Sequence, residues 1–533
     1  MDQPPAPPVR TRTGRARLVA VAAVAAVVMA GIAGTTAAPV PPALSIGDLR
    51  WLSRVSSGLD RATVARFRQL GRETFLDEQL HPPAGDPEPL AAAIRALPMP
   101  ASTAEERIRA NRAEQQRINA LPTEDEKQRA RAAFNQAANQ AVYETARRHL
   151  MRALHSPYQL REQLTWFWMN HFSVFAGKAN IRWTLAEYEE QSVRAHALGT
   201  FRDLVLATTE SPAMLEYLDN AQSAAGKINE NYARELMELH TLGVSGGASG
   251  SAYTQQDVQE LARVLTGVGV NVGDTTPKLA ADRQPFYVRR GLFEFNPARH
   301  DFGTKTLLGQ QIPGKGLAEL EDAVALLCRQ PAAARFISRK LATYFVADDP
   351  PAALVDRMAR TFERTDGSIA AVVREMFLDR DLLAALSTPV PRFEKLKDPT
   401  QFVVSSLRLA YDGKAITNYH PVVNWLQQLG EPLYGRVTPD GYALAETAWT
   451  SSGQMVRRFE IARAIGGGNA GLFNTEDTNM PGPTTGFPML ASRFFFDVIE
   501  PMLRPATREA LDKASSQLEW NTFLLASPDW MER

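Results

Sequence analysis

The sequence predicts an all-α fold, a large multi-helical single domain with only a minor β meander near residues 286–308. Three observations carry that expectation. Long stretches are rich in Ala, Glu, Arg, Gln and Leu, with apolar residues returning every three or four positions. Extended alternating runs of β-branched residues are missing, and no segment repeats at a fixed period, so a sandwich or a solenoid is not expected. At 533 residues, 44% hydrophobic and 22% charged, the chain is long and apolar enough to bury a core without covalent staples. Its single cysteine, Cys328, excludes an internal disulfide framework and any cysteine-clustered zinc or iron–sulfur site. Lys+Arg and Asp+Glu both total 59, so no net field draws the chain to nucleic acid, and none is expected as a partner.

The first 38 residues carry Arg10, Arg12, Arg15 and Arg17, then an apolar run from Leu18 to Gly34, then Thr36, Ala37 and Ala38. Basic flank, short apolar run and small-residue exit make a secretory signal peptide, with cleavage close to Ala38. The arginines are not paired, which argues against a twin-arginine export signal. Cleavage leaves 55 basic against 58 acidic residues in a mature domain over 39–533. The protein is therefore expected in the periplasm or outside the cell, with no stable transmembrane anchor after cleavage. An uncleaved anchor is the competing reading of the same run.

Helical patterning then dominates. Thr103 to Leu154 mixes charges of both signs and reads as a solvated helical pair broken near Pro122. Leu160 to Phe175 includes Trp166-Phe167-Trp168-Met169-Asn170-His171-Phe172, apolar in nearly every direction once wound, and is placed at the centre of the core. A loop and β insertion is expected at about 268–316. Phe286-Tyr287-Val288, Leu292 to Phe295 and Thr306 to Leu308 are its short β-favouring runs, separated by turn residues.

The densest chemical signal lies on Asn229 to Gly243. At about 100° per residue, Glu230, Thr241, Arg234, Glu238, Asn231 and Glu235 fall within one arc of about 140°. Leu239, Tyr232, Leu236, Ala233 and Met237 occupy the other side, with His240 among them, and Gly243 stops the helix. Three carboxylates, an amide, a hydroxyl and a guanidinium on one arc suit a pocket wall. A solvated face with routine ion pairs is the alternative. Glu230, Glu235 and Glu238 are the catalytic candidates, since paired carboxylates can divide acid and base roles. Asn231, Arg234, His171, Asn170, Trp166 and His240 are the substrate-binding candidates, with Trp168 and Tyr232 adding apolar surface. Arg234 is expected to hold Glu230 on one side and Glu238 on the other, so that Arg234→Ala would be costly. In the next segment, Thr254 and Asp257 form a capping box and Gly267 closes the helix, a structural role.

Several motif spellings fail on context. His300-Asp301-Phe302-Gly303 lacks the other kinase loops, and Gly243-Val244-Ser245-Gly246-Gly247 follows a helix rather than a strand. Gly309 to Lys315 has Gly316 where a phosphate loop needs Ser or Thr, and Gly466 to Gly471 has no βαβ unit around it. Glu78 and His81 end at Pro82-Pro83. No metal is assigned. A site assembled from separate segments, His171, His240, His300, Asp301 and the carboxylates of helix 229–243, is the one metal arrangement left open, and no cofactor follows from the residues.

The runs quoted above, with Tyr217-Leu218-Asp219-Asn220, Glu230 to Gly243, Tyr253 to Gly267, Lys305, Leu308, Gly309, Arg339-Lys340-Leu341, Phe345-Val346 and Leu525 to Trp530, resemble the bacterial domain of unknown function 1800 from about Ala43 to the end. Two departures are the Ala/Glu/Arg/Gln stretch around Thr103 to Gln140 and the Gly/Ser-rich Ser245 to Ser251. The resemblance implies an exported, mostly helical bacterial protein. It also implies a partner, an exported protein of the domain of unknown function 1501 family, which resembles alkaline-phosphatase-like enzymes. It supplies no reaction. Two classes fit: a hydrolase-like enzyme acting on a polar or carbohydrate-like envelope substrate through a groove on helix 229–243, and a non-catalytic envelope scaffold.

Overall fold

The computed structural model describes residues 43–99, 102–244, 252–273, 275–388, 393–476 and 487–533. The expected signal peptide at 1–38 and the whole Ser245 to Ser251 loop, with the serine of its nucleophile-elbow spelling, lie outside the described residues. From Leu44 to Arg533 the chain packs as one compact unit, and helices account for most of it. No helix among the described residues is long and apolar enough to cross a membrane.

The polar stretch at the start forms two helices, α1 Ala104–Asn119 and α2 Glu124–His155. Both open on a capping box, Thr103 with Glu106 and Thr123 with Glu126, which satisfies two of the orphan N–H groups at each start. The last third of α2 is buried, from Tyr143 to Leu154, and passes the chain to α3, Gln159–His171. Every residue of α3 except Asn170 is buried, so the helix expected at the centre is there, ending at His171. Trp168 and Tyr232 are 0% and 1% exposed, which makes them core residues rather than the groove surface expected of them.

The β insertion differs from the expected single meander. Val268–Val270 (β1), Val288–Arg290 (β2) and Phe293–Phe295 (β3) form an antiparallel sheet in the order β1-β3-β2, with Val268 and Val288 both opposite Phe295. Lys305–Leu307 (β4) and Gln310–Ile312 (β5) form a separate hairpin. Phe286 falls in a 3-10 turn with Pro285, because proline cannot donate to a ladder. Leu308 leaves the strand because it and Gly309 both take positive φ, 49° and 74°, as a two-residue hairpin loop requires.

Around this insertion the His-Asp-Phe-Gly run has a structural role. His300 and Lys305 both bond the buried carboxylate of Glu319, and the other nitrogen of His300 meets the carbonyl of Thr266 at 2.7 Å. Asp301 is held by Arg263 at 2.8 Å. Neither His300 nor Asp301 joins His171 or His240, so the metal arrangement across those four residues does not form. Among the described residues no group of three or more His, Cys, Asp or Glu side chains is placed to hold an ion.

Candidate active site

The segment expected to be one α-helix from Asn229 to Gly243 is two kinds of helix. Asn229 caps it, accepting from the Asn231 N–H at 2.9 Å, and α4 runs over Glu230–Glu235. From Leu236 to Thr241 the chain winds as a π-helix. The Leu242 N–H reaches back five residues to the Met237 carbonyl at 2.7 Å, and the Thr241 hydroxyl donates to the Leu236 carbonyl at 2.7 Å. A five-residue return turns the chain by less than 100° per residue, so the arc projected from ideal geometry does not survive past Leu236. Thr241, expected on the polar arc, is fully buried.

This change of winding divides the expected site. At its first end, Arg234 meets Glu230 at 3.8 Å and Gln255 at 2.8 Å, and Glu230 also accepts from Gln255 and Gln259. The Arg234 side chain is 41% exposed, Asn231 is exposed, and Arg234 makes no ion pair with Glu238. The expected Glu230–Arg234–Glu238 bridge is therefore corrected to a single exposed pair, since the π turn rotates Glu238 away.

At the second end, the helix stops against Pro331–Phe345 (α5), one of whose faces is buried. Gly243 has φ +85°, and a Cβ there would sit 2.9 Å from the Phe336 ring, so only glycine fits between the two helices. One turn beyond Phe336 comes Lys340. Its ammonium donates to Nδ1 of His171 at 2.8 Å, and Nε2–H of His171 donates to the carbonyl of His240 at 3.0 Å. That carbonyl is one of the orphan acceptors at a helix end. The two imidazoles lie 6.1 Å apart, and Nε2 of His240 is buried without a hydrogen-bond partner.

A third wall comes from residues 434–442. Tyr434 donates its hydroxyl to Glu189 at 2.6 Å and its carbonyl accepts from Ala176 at 3.0 Å. Asn170 grips the other end, accepting from the Tyr442 N–H at 2.6 Å and donating to the Tyr442 carbonyl at 2.9 Å. Between them Gly441 has φ +74°, and a Cβ there would stand 2.1 Å from the Asn170 carbonyl oxygen, which no side chain could accommodate. Asn170 thus positions this segment and has both amide groups engaged. Trp166 is 5% exposed, its ring 6.4 Å from that of Tyr442. The segment places Asp440, clasped by both nitrogens of the Arg436 fork, the nearer at 2.8 Å, and by the Thr438 hydroxyl at 2.5 Å.

The charges brought together here perturb one another. Burial pushes Lys340 down to about 8, with Asp440 opposing. Burial and the Lys340 charge push His240 down to about 3, and the same causes, with His240, push His171 well below its ordinary value. Both rings are therefore neutral near pH 7. Burial, then Glu238 and Asp440, raise Glu235 against the pull of Arg234. Burial, Asp440 and Glu235 raise Tyr217 to about 12. Glu235 and Glu238 are half-buried, and neither has an ion-pair partner within 4.0 Å among the described residues. A lysine lowered to about 8 can exchange a proton near neutrality.

The family model for "Protein of unknown function (DUF1800)" matches residues 50–532, nearly the whole chain. The chain belongs to the DUF1800 family. Neither a curated protein nor a solved structure is matched by it. Within this DUF1800 chain, the structure gathers His171 and His240 around Lys340, keeps Glu235 in the electrostatic neighbourhood of Glu238 and Asp440, and leaves Glu230, Asn231 and Arg234 at the far end of the helix. Lys340, Asp440 and Tyr217 were not among the residues expected at the site. The signal for Lys340 was its spacing: it sits three or four residues from Ile337 and Tyr344, so a lysine interrupts a core stripe. Asp440 carries no comparable signal, because its place depends on a contact 270 residues away in sequence, between Asn170 and Tyr442.

Proposed function

We propose that this DUF1800 protein is an exported, hydrolase-like enzyme acting on a polar or carbohydrate-like substrate of the cell envelope, with its proton-transfer centre at the C-terminal half of helix 229–243. One observation carries the reading: Asp440 acts electrostatically both on Glu235, a half-buried carboxylate without an ion-pair partner among the described residues, and on Lys340, a lysine that burial pushes down to about 8. Surface carboxylates of a purely structural helix have no such neighbour. Glu235, whose carboxyl burial and Glu238 raise above its ordinary value, would act as the acid. Glu238 or Lys340 would take a proton from water or from the attacking hydroxyl. Export rests on the basic–apolar–small order of the first 38 residues.

The test is turnover by the chain beginning after Ala38, on a panel of glycoside, ester, amide and phosphoester substrates. One class should be hydrolysed, and Glu235→Gln should lower that rate by about 10²–10⁴-fold without loss of folding. No turnover of any class, or a Glu235→Gln variant as active as the parent, would reject the enzyme.

The second reading, an envelope scaffold for a protein of the domain of unknown function 1501 family, draws on the buried polar core. There Glu189 accepts from His149 at 2.7 Å and Tyr434 at 2.6 Å, a network that specifies one packing without doing chemistry. Co-purification of the two exported proteins with no hydrolysis would favour it.

A further inference from the structure

A second cleft lies along the helix His420–Gln428 (α6), with a volume of about 480 Å³. His420, Asn424 and Gln428 recur every four residues and so form one outward stripe, while Val422 and Leu426 face the core and Trp425, largely buried, still lines the cleft. The facing wall is built by Gly471 and Glu476. None of these residues belongs to the Lys340 site.

The walls of this cleft are rigid and electrically quiet. The His420 ring stacks flat on Tyr143, centroids 4.0 Å apart and planes 7° from parallel. The Tyr143 hydroxyl bonds Glu476, which also accepts from Arg147 at 2.6 Å and from the Tyr419 N–H at 3.1 Å. Glu476, the one carboxylate among the described lining residues, is thus paired with a guanidinium and held in place. Asn418 is fixed as well, donating to the Gly471 carbonyl at 3.2 Å and accepting from the His420 N–H at 3.0 Å. By contrast, the side-chain amides of Asn424 and Gln428, the His420 ring nitrogens and the Trp425 indole N–H make no hydrogen bond to any described residue.

From this geometry we propose that the cleft binds a neutral carbohydrate. Two adjacent amides each offer a donor and an acceptor, the pairing that adjacent sugar hydroxyls require. The outer face of a stacked, immobilised imidazole gives the flat surface against which a sugar ring packs, and its rigidity spares the ordering cost of binding. Among the described lining residues Glu476 is already paired, and no lysine or arginine is present to select an anion.

The experiment titrates the exported chain with three neutral disaccharides, cellobiose, maltose and N,N′-diacetylchitobiose, by calorimetry. At least one should bind saturably. Asn424→Ala/Gln428→Ala, on an exposed stripe where folding is undisturbed, should weaken it by about tenfold or more. Trp425→Phe, which keeps the packing and removes the indole N–H, should weaken it in the same direction, and Glu235→Gln should bind as the parent does. Absence of saturable binding by all three sugars, or binding that Glu235→Gln abolishes and the double variant leaves unchanged, would overturn the proposal.

Discussion

Lys340 and His171 form one hydrogen-bonded pair, Nζ to Nδ1 at 2.8 Å, and the direction of that bond sets the tautomer of the ring. The ammonium can only donate, so Nδ1 carries no hydrogen; Nε2 therefore carries it and donates to the His240 carbonyl at 3.0 Å. The end of the π-helix, the central helix and α5 are tied together through this single imidazole. His171 positions the lysine, and in the proposed enzyme Lys340 is one of the groups that would exchange a proton with the substrate.

The pH dependence of stability should report that arrangement. Lys340 titrates at about 8 in the folded protein against 10.5 as its ordinary value. Between those values the unfolded chain binds more protons than the folded one, so this lysine costs stability below pH 8 and the cost fades as pH rises toward 10.5. Its full size is roughly 3 kcal/mol. The stability difference between Lys340→Met and the parent, measured by denaturant melts, should move against the variant by an amount of that order from about pH 7 to pH 10. A difference that stays constant across that range would place Lys340 in ordinary solvent.

Arg234→Ala should cost little. The side chain is 41% exposed and its one ion pair, to Glu230, spans 3.8 Å. Exposed pairs of this kind contribute about 0.3–0.5 kcal/mol, and the Gln255 contact adds a comparable amount. A melt showing a loss above about 2 kcal/mol would mean that Arg234 does bridge to Glu238 in solution.

How much of this was legible in the sequence depends on the range of the interaction concerned. Elements set by local rules were readable: the capping box at Thr254, the break near Pro122, and the apolar-all-round helix expected over Leu160 to Phe175 and found over Gln159–His171. Elements set by a change of winding or by distant contacts were not. A projection at 100° per residue puts Thr241 and Glu238 on one polar arc with Arg234, whereas the π turn buries Thr241 and separates Glu238 from Arg234. The β patch was legible as short strands, but the break at Leu308 depends on a backbone conformation unusual for leucine. Of the candidate residues, His171 and His240 do meet, yet Lys340, which bonds the other nitrogen of His171, lies far beyond the helix that drew attention.

Glu189→Gln should be among the more damaging single changes. Burial acts to raise this carboxyl, but His149, then Arg148 and the Tyr434 hydroxyl, outweigh it and bring it down to about 2. A depressed carboxylate contributes stability that is present above its unfolded value near 4.5 and is lost as pH falls toward 2. Replacement by the neutral amide should cost about 3–5 kcal/mol at pH 7, as expected for one partner of a buried pair. The penalty should shrink in melts at about pH 3. A variant equally impaired at both pH values would show that packing, rather than charge, holds Glu189 in place.

Titration of Lys340 itself is the most direct test of the proton-transfer centre. Competitive acylation of the exported chain between about pH 6.5 and pH 10.5, resolved peptide by peptide, reads the midpoint of each lysine separately. Lys340 should titrate near 8 in the parent. A midpoint at the ordinary lysine value of 10.5 would contradict an acid–base role for this site and leave His171, His240 and Lys340 as a structural contact between helices.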